Sequence, residues 1–339
     1  MGLRVDQKIV IVTRPTQLAA LQRKFNTRSQ AKFQIVTAKR RKLAKELSTS
    51  SAAKLDALAE REFDEVDQAA QQYDASVQQL RRDLAFEDMD LPVQTVDRDF
   101  LPNFVFGPRD VVVTVGQDGL VANTAKYAVG LPIVAVNPDP QRIDGVLLPF
   151  RTDQARAAVR SVLQGTAAYR EVTLAEALLA DGQRLLAFNE LFIGNRTHVS
   201  ARYRLSVGGR SEPQSSSGVL VCTGAGSTGW LSSVFNMAAG VATMLGRAAA
   251  ASPPPPVRMG WEDPRLIYVV REPFASKQSR ADLVAGMIDP GQEVAVESDM
   301  PANGVIFSDG VESDYLEFNA GASARIRSAP GKARLVVGK

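Results

Sequence analysis

Three short stretches of this 339-residue chain combine residue types that do chemistry. The first is Gly116-Gln117-Asp118-Gly119, which follows the apolar run Val111–Val115. A carboxylate at the C-terminal end of a parallel strand lies where such sheets bind ligands. Flanking glycines let phosphate approach backbone N–H groups, and Asp118 could then accept a proton or help place a magnesium ion. The second is the adjacent pair Asn189-Glu190 inside the apolar run Leu185–Ile193. Two polar side chains there are costly to bury without partners, and a bound polyol such as ribose would satisfy both; the plain alternative is a strand-end pair facing water. The third is Gly224-Ala225-Gly226-Ser227-Thr228-Gly229 after the strand-like 218–222, with the spacing of a dinucleotide-binding turn.

A conventional dinucleotide fold fails on the surrounding sequence. It needs an acidic residue roughly 20 positions beyond the glycines, yet no Asp or Glu lies between Leu231 and Trp261. The run Ser252-Pro253-Pro254-Pro255-Pro256 cannot form the next strand. No G-x-x-x-x-G-K-[ST] motif occurs, which excludes a P-loop kinase.

Single copies of Cys (Cys222) and His (His198) exclude a disulfide framework, a thiolate zinc site and any multi-histidine centre. His198 heads an alternating strand pattern and reads as a surface residue. Chemistry is left to carboxylates, backbone amides and bound ions. With 45% hydrophobic and 23% charged residues, the composition is that of an ordinary globular protein, and no run approaches the roughly 18 apolar residues of a membrane span. The N-terminus lacks a signal-peptide core, and Asp6 stands where a myristoylation motif needs Ser or Thr. A cytoplasmic location, with no membrane partner, is the expectation.

The elements that must position these residues divide in style. A strand at Lys8–Thr13 leads into a charged helical region. From Arg14 to Lys45 there are ten bases and no acids; from Glu46 to Phe100, fourteen acids face five bases. The net +3 hides this gradient, and the basic block reads as a solvated face, or one paired with the acidic segment, rather than a nucleic-acid surface. Leu55, Leu58, Val66, Ala70, Tyr73, Val77 and Leu80 recur at helical spacing. Strand 111–115, the glycine turn, a helix over 120–129 and strand 131–136 form a βαβ signature. Beyond about residue 150 short strands dominate, at 184–193, 199–208, 218–222, 265–271, 293–297, 304–308, 315–319 and 323–328, with one substantial helix near 230–249. The expected division is an α/β domain over 1–150, a β-rich domain over 151–325, and a tail, 326–339, returning to the first domain.

Together the three stretches resemble the motifs of the NAD kinase family, Gly-Gly-Asp-Gly-Thr, Asn-Glu and Thr-Pro-Thr-Gly-Ser-Thr-Ala-Tyr, in the same order. Phe188–Gly194, Ser216-Ser217-Gly218, Arg271-Glu272-Pro273 and Glu317-Phe318-Asn319 are most similar to the mitochondrial type and its bacterial relatives. The resemblance implies a Rossmann-like N-terminal α/β domain followed by a β-sandwich-like C-terminal domain. It implies transfer of the ATP γ-phosphate, with Mg²⁺ or Mn²⁺ held mainly by the phosphates, to the adenosine ribose 2′-hydroxyl of NAD, giving NADP. It implies Asp118 as base, phosphate binding by Gly116, Gln117 and Gly119, and NAD binding by Asn189, Glu190, Thr223, Gly226, Ser227, Thr228, Trp230 and Ser233. A homodimer or higher homo-oligomer is implied as well. Gln117 and Leu120 depart from the family's Gly and Thr. A left-handed turn at 117 would be strained by a side chain there, so a nucleotide-binding regulatory protein of this fold, or a kinase for a lipid or sugar, stays open.

Overall fold

The computed structural model describes residues 7–46, 51–86, 91–246 and 258–338. The proline run at 252–256, the end of the helix expected to reach 249 and the N-terminal positions Gly2 and Asp6 lie outside them. The chain forms two compact units: Met1–Val121 with Val134–Ala167 and Gly338–Lys339, and Ala122–Ile133 with Ala168–Val337. Residues 326–337 therefore fall in the second unit.

In the first unit, β1 (Ile9–Thr13) is followed by α1 (Gln17–Phe25), α2 (Arg28–Glu46) and α3 (Ala52–Asp83). Then come β2 (Val93–Asp97), β3 (Val111–Val115), α4 (Asp118–Ala125), β4 (Pro132–Asn137), β5 (Phe150–Arg151) and α5 (Ala155–Leu163). β1 pairs in parallel with both β2 and β3, and β5 pairs in parallel with β4. Continuous apolar runs such as Val111–Val113 suit strands covered on both faces, and these residues are fully buried. Leu18, Ala31, Phe63 and Ala70 join α1, α2 and α3 in one apolar cluster. The basic block meets the acidic one across α2 and α3, through Arg28–Asp67 (2.8 Å), Lys39–Glu62 (2.7 Å) and Arg40–Asp56 (2.9 Å).

α4 is shorter than the helix expected over 120–129. The amides of Tyr127 and Ala128 both return to the Thr124 carbonyl, and Gly130 takes φ 75°, which closes the helix early. α5 is a helix where only strands were expected.

The second unit contains β6 (Tyr169–Leu179), β7 (Arg184–Ala187), β8 (Glu190–Asn195), β9 (Ala201–Val207), β10 (Arg210–Ser216) and β11 (Val219–Cys222). α6 (Trp230–Met244), β12 (Leu266–Val270), β13 (Ala285–Ile288), β14 (Val294–Ser298), β15 (Gly304–Ser308), β16 (Val311–Glu317) and β17 (Ser323–Val336) complete it. One of its sheets runs β10-β9-β14-β17, with β6 pairing β17 and β7; the other runs β13-β12-β11-β8-β15-β16. Alternate residues of both, including Ala177, Leu191, Ile193, Tyr203, Leu205, Val221, Val296 and Ile306, fill one core between the sheets. The far face of the second sheet carries α6 over Leu220, Cys222, Ile267 and Val269.

Three strand expectations need correction. The run 184–193 is two strands, broken at Phe188-Asn189. The strand expected at 315–319 is β16, displaced to Val311–Glu317. The strand expected to stop at 328 continues to Val336 after a register shift between Ser328 and Lys332.

Candidate active site residues

The glycine turn of the first unit joins β3 to α4. Asp118 is the first residue of α4, and its carboxylate accepts the backbone amides of Val146 (3.1 Å) and Leu147 (2.9 Å). One lone pair on each oxygen remains for another donor. A side chain at Gly116 would meet Leu120 at 3.0 Å and the Arg14 guanidinium at 3.3 Å, so this glycine makes room for protein. Gly119 has nothing within 4 Å of its absent side chain and is open to a ligand. Gln117 is not in the left-handed region, so the strain expected of a side chain at this turn is absent. Leu120 is buried in the core, where a family threonine would offer a hydroxyl.

Beside this turn lies a cavity of about 230 Å³ lined by Arg14, Gln17, Tyr73, Gln117, Asp139 and Arg142 among others. The Tyr73 hydroxyl accepts the Arg14 amide (2.8 Å) and donates to the Val115 carbonyl (3.1 Å), tying α3 to the ends of β1 and β3. Burial pushes this phenol up to about 12. Two guanidiniums, Arg14 and Arg142, face the cavity; Arg142 is bound to Asp139 at 3.2 Å, whereas Arg14 Nε is buried without a hydrogen-bond partner.

In the second unit the structure brings Asn189-Glu190 and the 223–230 loop together. Asn189 lies in the break between β7 and β8 and Glu190 opens β8, and Thr223 holds the pair from one side. The Thr223 amide donates to the Asn189 carbonyl (2.9 Å), and its hydroxyl donates to the Phe188 carbonyl (2.6 Å). Asp309 holds it from the other. Its carboxylate accepts the amides of Phe188 (3.0 Å) and Asn189 (2.6 Å). Among the described residues no protein group hydrogen-bonds the Glu190 carboxylate. Burial first, and then the charge of Asp309, push that carboxyl up to about 7. Burial likewise raises Asp309 to about 6, against the lowering effect of the amides and of Lys126.

Two glycines of the 224–229 loop, Gly224 and Gly226, make room for protein backbone. A side chain at Gly226 would lie 2.2 Å from the Asn189 carbonyl oxygen, and one at Gly224 would lie 1.9 Å from that of Gly260. Thr223 and Ser227 are buried, and Ser227 Oγ donates to the Gly224 carbonyl (2.7 Å). Of the residues expected to bind NAD, Thr228 and Ser233 are exposed, while Asn189 and Trp230 are half-buried.

Trp230 stacks on Phe192, with ring planes 9° apart, and Arg271 lies 5.1 Å from the Trp230 ring. These residues line a cavity of about 510 Å³ with Arg196, Ser217 and the single histidine, His198, which is exposed as expected. Gly218 (φ 108°) brings the chain against the Phe192 ring, where a side chain would lie 2.7 Å away. No cluster of three or more His, Cys, Asp or Glu suited to a metal occurs among the described residues. Nor is any helix there long and apolar enough to cross a membrane.

Sequence reasoning missed Asp309, Lys126, Arg14 and Arg142. Asp309-Gly310 carries the one readable signal, since Asp-Gly marks a tight hairpin turn.

These two units have the fold of an NAD(H) kinase. The yeast NADH kinase, solved with NADH, superposes with a TM-score of 0.53 at 14% identity, covering 99% of this chain and 85% of that one. An NAD kinase of Archaeoglobus fulgidus, solved with ATP, gives 0.49 at 16% identity over 77% of this chain and 88% of its own. No family model matches the chain. Among curated proteins it is similar to the mitochondrial NAD kinase 2 of Rattus norvegicus, 27% identical over 232 residues. That match covers 50% of this chain and 55% of the rat protein, so the chain spans about half the length of its relative. The resemblance of the motifs to the NAD kinase family thus has support in both sequence and fold.

Proposed function

We propose that the protein is an NAD kinase, transferring the γ-phosphate of ATP to the adenosine ribose 2′-hydroxyl of NAD to give NADP. The observation that carries this reading is the Asn189-Glu190 pair: its backbone is clamped from two sides, while the Glu190 carboxylate has no donor among the described residues. A ribose diol is a fitting partner for an amide beside a carboxylate. Trp230, Thr228 and Ser233 would hold the rest of the dinucleotide, and the cavity beside Trp230 has polar and aromatic groups suited to it. Asp118 is the base in this reading. Gly119, the start of α4 and the Arg14–Arg142 cavity would receive the phosphates of the donor. Mg²⁺ would enter on those phosphates. NADH remains a candidate acceptor beside NAD, as in the yeast protein, and polyphosphate a candidate donor.

The deciding experiment is NADP formation from NAD, ATP and Mg²⁺ by the wild type and Asp118→Asn. A base at Asp118 predicts a drop of about 10²–10⁴ in turnover with NAD affinity retained. Turnover unchanged by the substitution sinks the assignment.

One observation favours a second reading. Asp118 already holds the amides of Val146 and Leu147, a purely structural use of the carboxylate. Tight NAD binding without turnover in the wild type would select the nucleotide-binding regulatory protein. A homo-oligomer belongs to the proposal too: Met237, Val241 and Met244 of α6 are exposed at helical spacing, an apolar row fit for a second copy. The cytoplasmic location is likewise proposed, set against a rat relative that is mitochondrial by name.

A further inference from the structure

Phe188 and Asn189 lie between β7 and β8, which belong to different sheets, and their backbone polar groups must find partners outside a strand ladder. Asp309 supplies two of them. Its two carboxylate oxygens accept the successive amides of Phe188 and Asn189, and its own amide donates to the Glu190 carbonyl (3.1 Å). Asp309 can do this because it stands in the left-handed region (φ 53°), followed by Gly310 (φ 68°), at the tip of the β15–β16 hairpin. A sealed carboxylate is costly without compensation. The nearby cation is Lys126, whose side chain is 1% exposed; its Nζ donates to Ser308 Oγ (2.8 Å) and pairs with Asp314 (3.0 Å). Tyr127 also hydrogen-bonds Asp314. Lys126 is thus buried and Asp309, Asp314 and Tyr127 half-buried, and of these Asp309 holds the main chain of the pair.

We propose that Asp309 is the positioning residue of the Asn189-Glu190 pair, so that NAD affinity depends on a carboxylate that does not touch NAD. Two adjacent amides pointing at one anion fix the peptide planes on both sides of Phe188, and the Thr223 amide at the Asn189 carbonyl fixes the plane that follows. That sets the direction in which the Asn189 amide and Glu190 carboxylate leave the backbone. An asparagine at 309 turns one acceptor into a donor facing an N–H, which loosens this frame while keeping the side chain's size.

The inference rests on the reading that the pair holds NAD, and the test separates the two. NAD and ATP binding to the full chain would be titrated calorimetrically for Asp309→Asn, Asn189→Ala and Lys126→Arg. Amide hydrogen exchange at 188–190 would be followed alongside. Asp309→Asn is expected to weaken NAD about 10-fold, equivalent to about 1.4 kcal/mol, with ATP affinity within about two-fold. Lys126→Arg keeps the charge and should retain most of the NAD affinity. Loss of NAD in Asn189→Ala but not in Asp309→Asn overturns the positioning role and leaves the function standing. Unchanged NAD binding in Asn189→Ala overturns the site itself, and exchange then decides what Asp309 does. Should Asp309→Asn fail to fold, wild-type exchange still decides. Amides 188 and 189 are expected to be as protected as the β8–β11 ladder; loop-like exchange there overturns the proposal.

Discussion

Gly226 stands so close to Asn189 that a methyl group added at its Cα would lie 2.2 Å from the Asn189 carbonyl oxygen. The glycine loop and the Asn-Glu pair are therefore one packed object. Gly226→Ala must push the loop off the break between β7 and β8. It is expected to cost about 1–3 kcal/mol of stability and to weaken NAD at least as strongly as a direct contact residue. Thermal denaturation and NAD titration check this. Wild-type NAD affinity in the variant would contradict the packing argument.

Glu190 gives a pH dependence of definite sign. Its carboxyl, pushed up to about 7 by burial and by Asp309, binds a proton more readily in the folded protein than in the unfolded chain. Such a group lends stability below the ordinary carboxylate range, and that contribution is lost as pH rises through about 7. Glu190→Gln is accordingly expected to raise the melting temperature at pH 8 and to change it little at pH 4. If the ionised carboxylate accepts a ribose hydroxyl, NAD affinity of the wild type rises between pH 6 and 8, and the variant shows no such rise.

Tyr73→Phe removes one hydroxyl that serves two backbone groups, the Arg14 amide and the Val115 carbonyl. Leaving both unpartnered is expected to cost about 1–3 kcal/mol. Denaturant unfolding checks it; a neutral substitution would mean that water replaces the hydroxyl.

Gln117→Gly is expected to leave activity within about two-fold, because Gln117 carries no left-handed strain for a glycine to relieve. A large gain in turnover would show that the side chain itself obstructs the donor.

Met237→Glu with Val241→Glu places two charges on the exposed row of α6. If a second copy covers that row, light scattering will show a smaller species for the double variant than for the wild type. Equal masses would remove α6 from any interface.

The sequence was most readable where one interaction dominates. Val111–Val115 and Pro132–Asn137 are buried on both faces and announce themselves as apolar runs. β10 escaped notice because Arg210–Ser216 is polar and contains Pro213; it is the end strand of its sheet, where a missing N–H is tolerated. β6 was hidden by Glu176, a buried charge that Arg184 and Arg327 neutralise from neighbouring strands. The three motifs were visible as local patterns, but the break at Phe188-Asn189 was not, since apolar residues stand on both sides of the Asn189-Glu190 pair and read as one strand. Asp309, which accepts the amides exposed there, lies 120 positions away from Asn189. No local spacing can encode that contact.

The pairing of α2 with α3 has a consequence for how the protein meets small anions. Bases and acids that face each other within 3 Å cancel as seen from more than a Debye length, about 8 Å in physiological salt. The ten-base block, alarming on paper, therefore casts little far field. Phosphorylated molecules will not be drawn in along that hairpin, and their capture rates should respond only weakly to ionic strength. Discrimination among them is left to short-range fit at the cavities, where a guanidinium acts on a phosphate only once it has arrived.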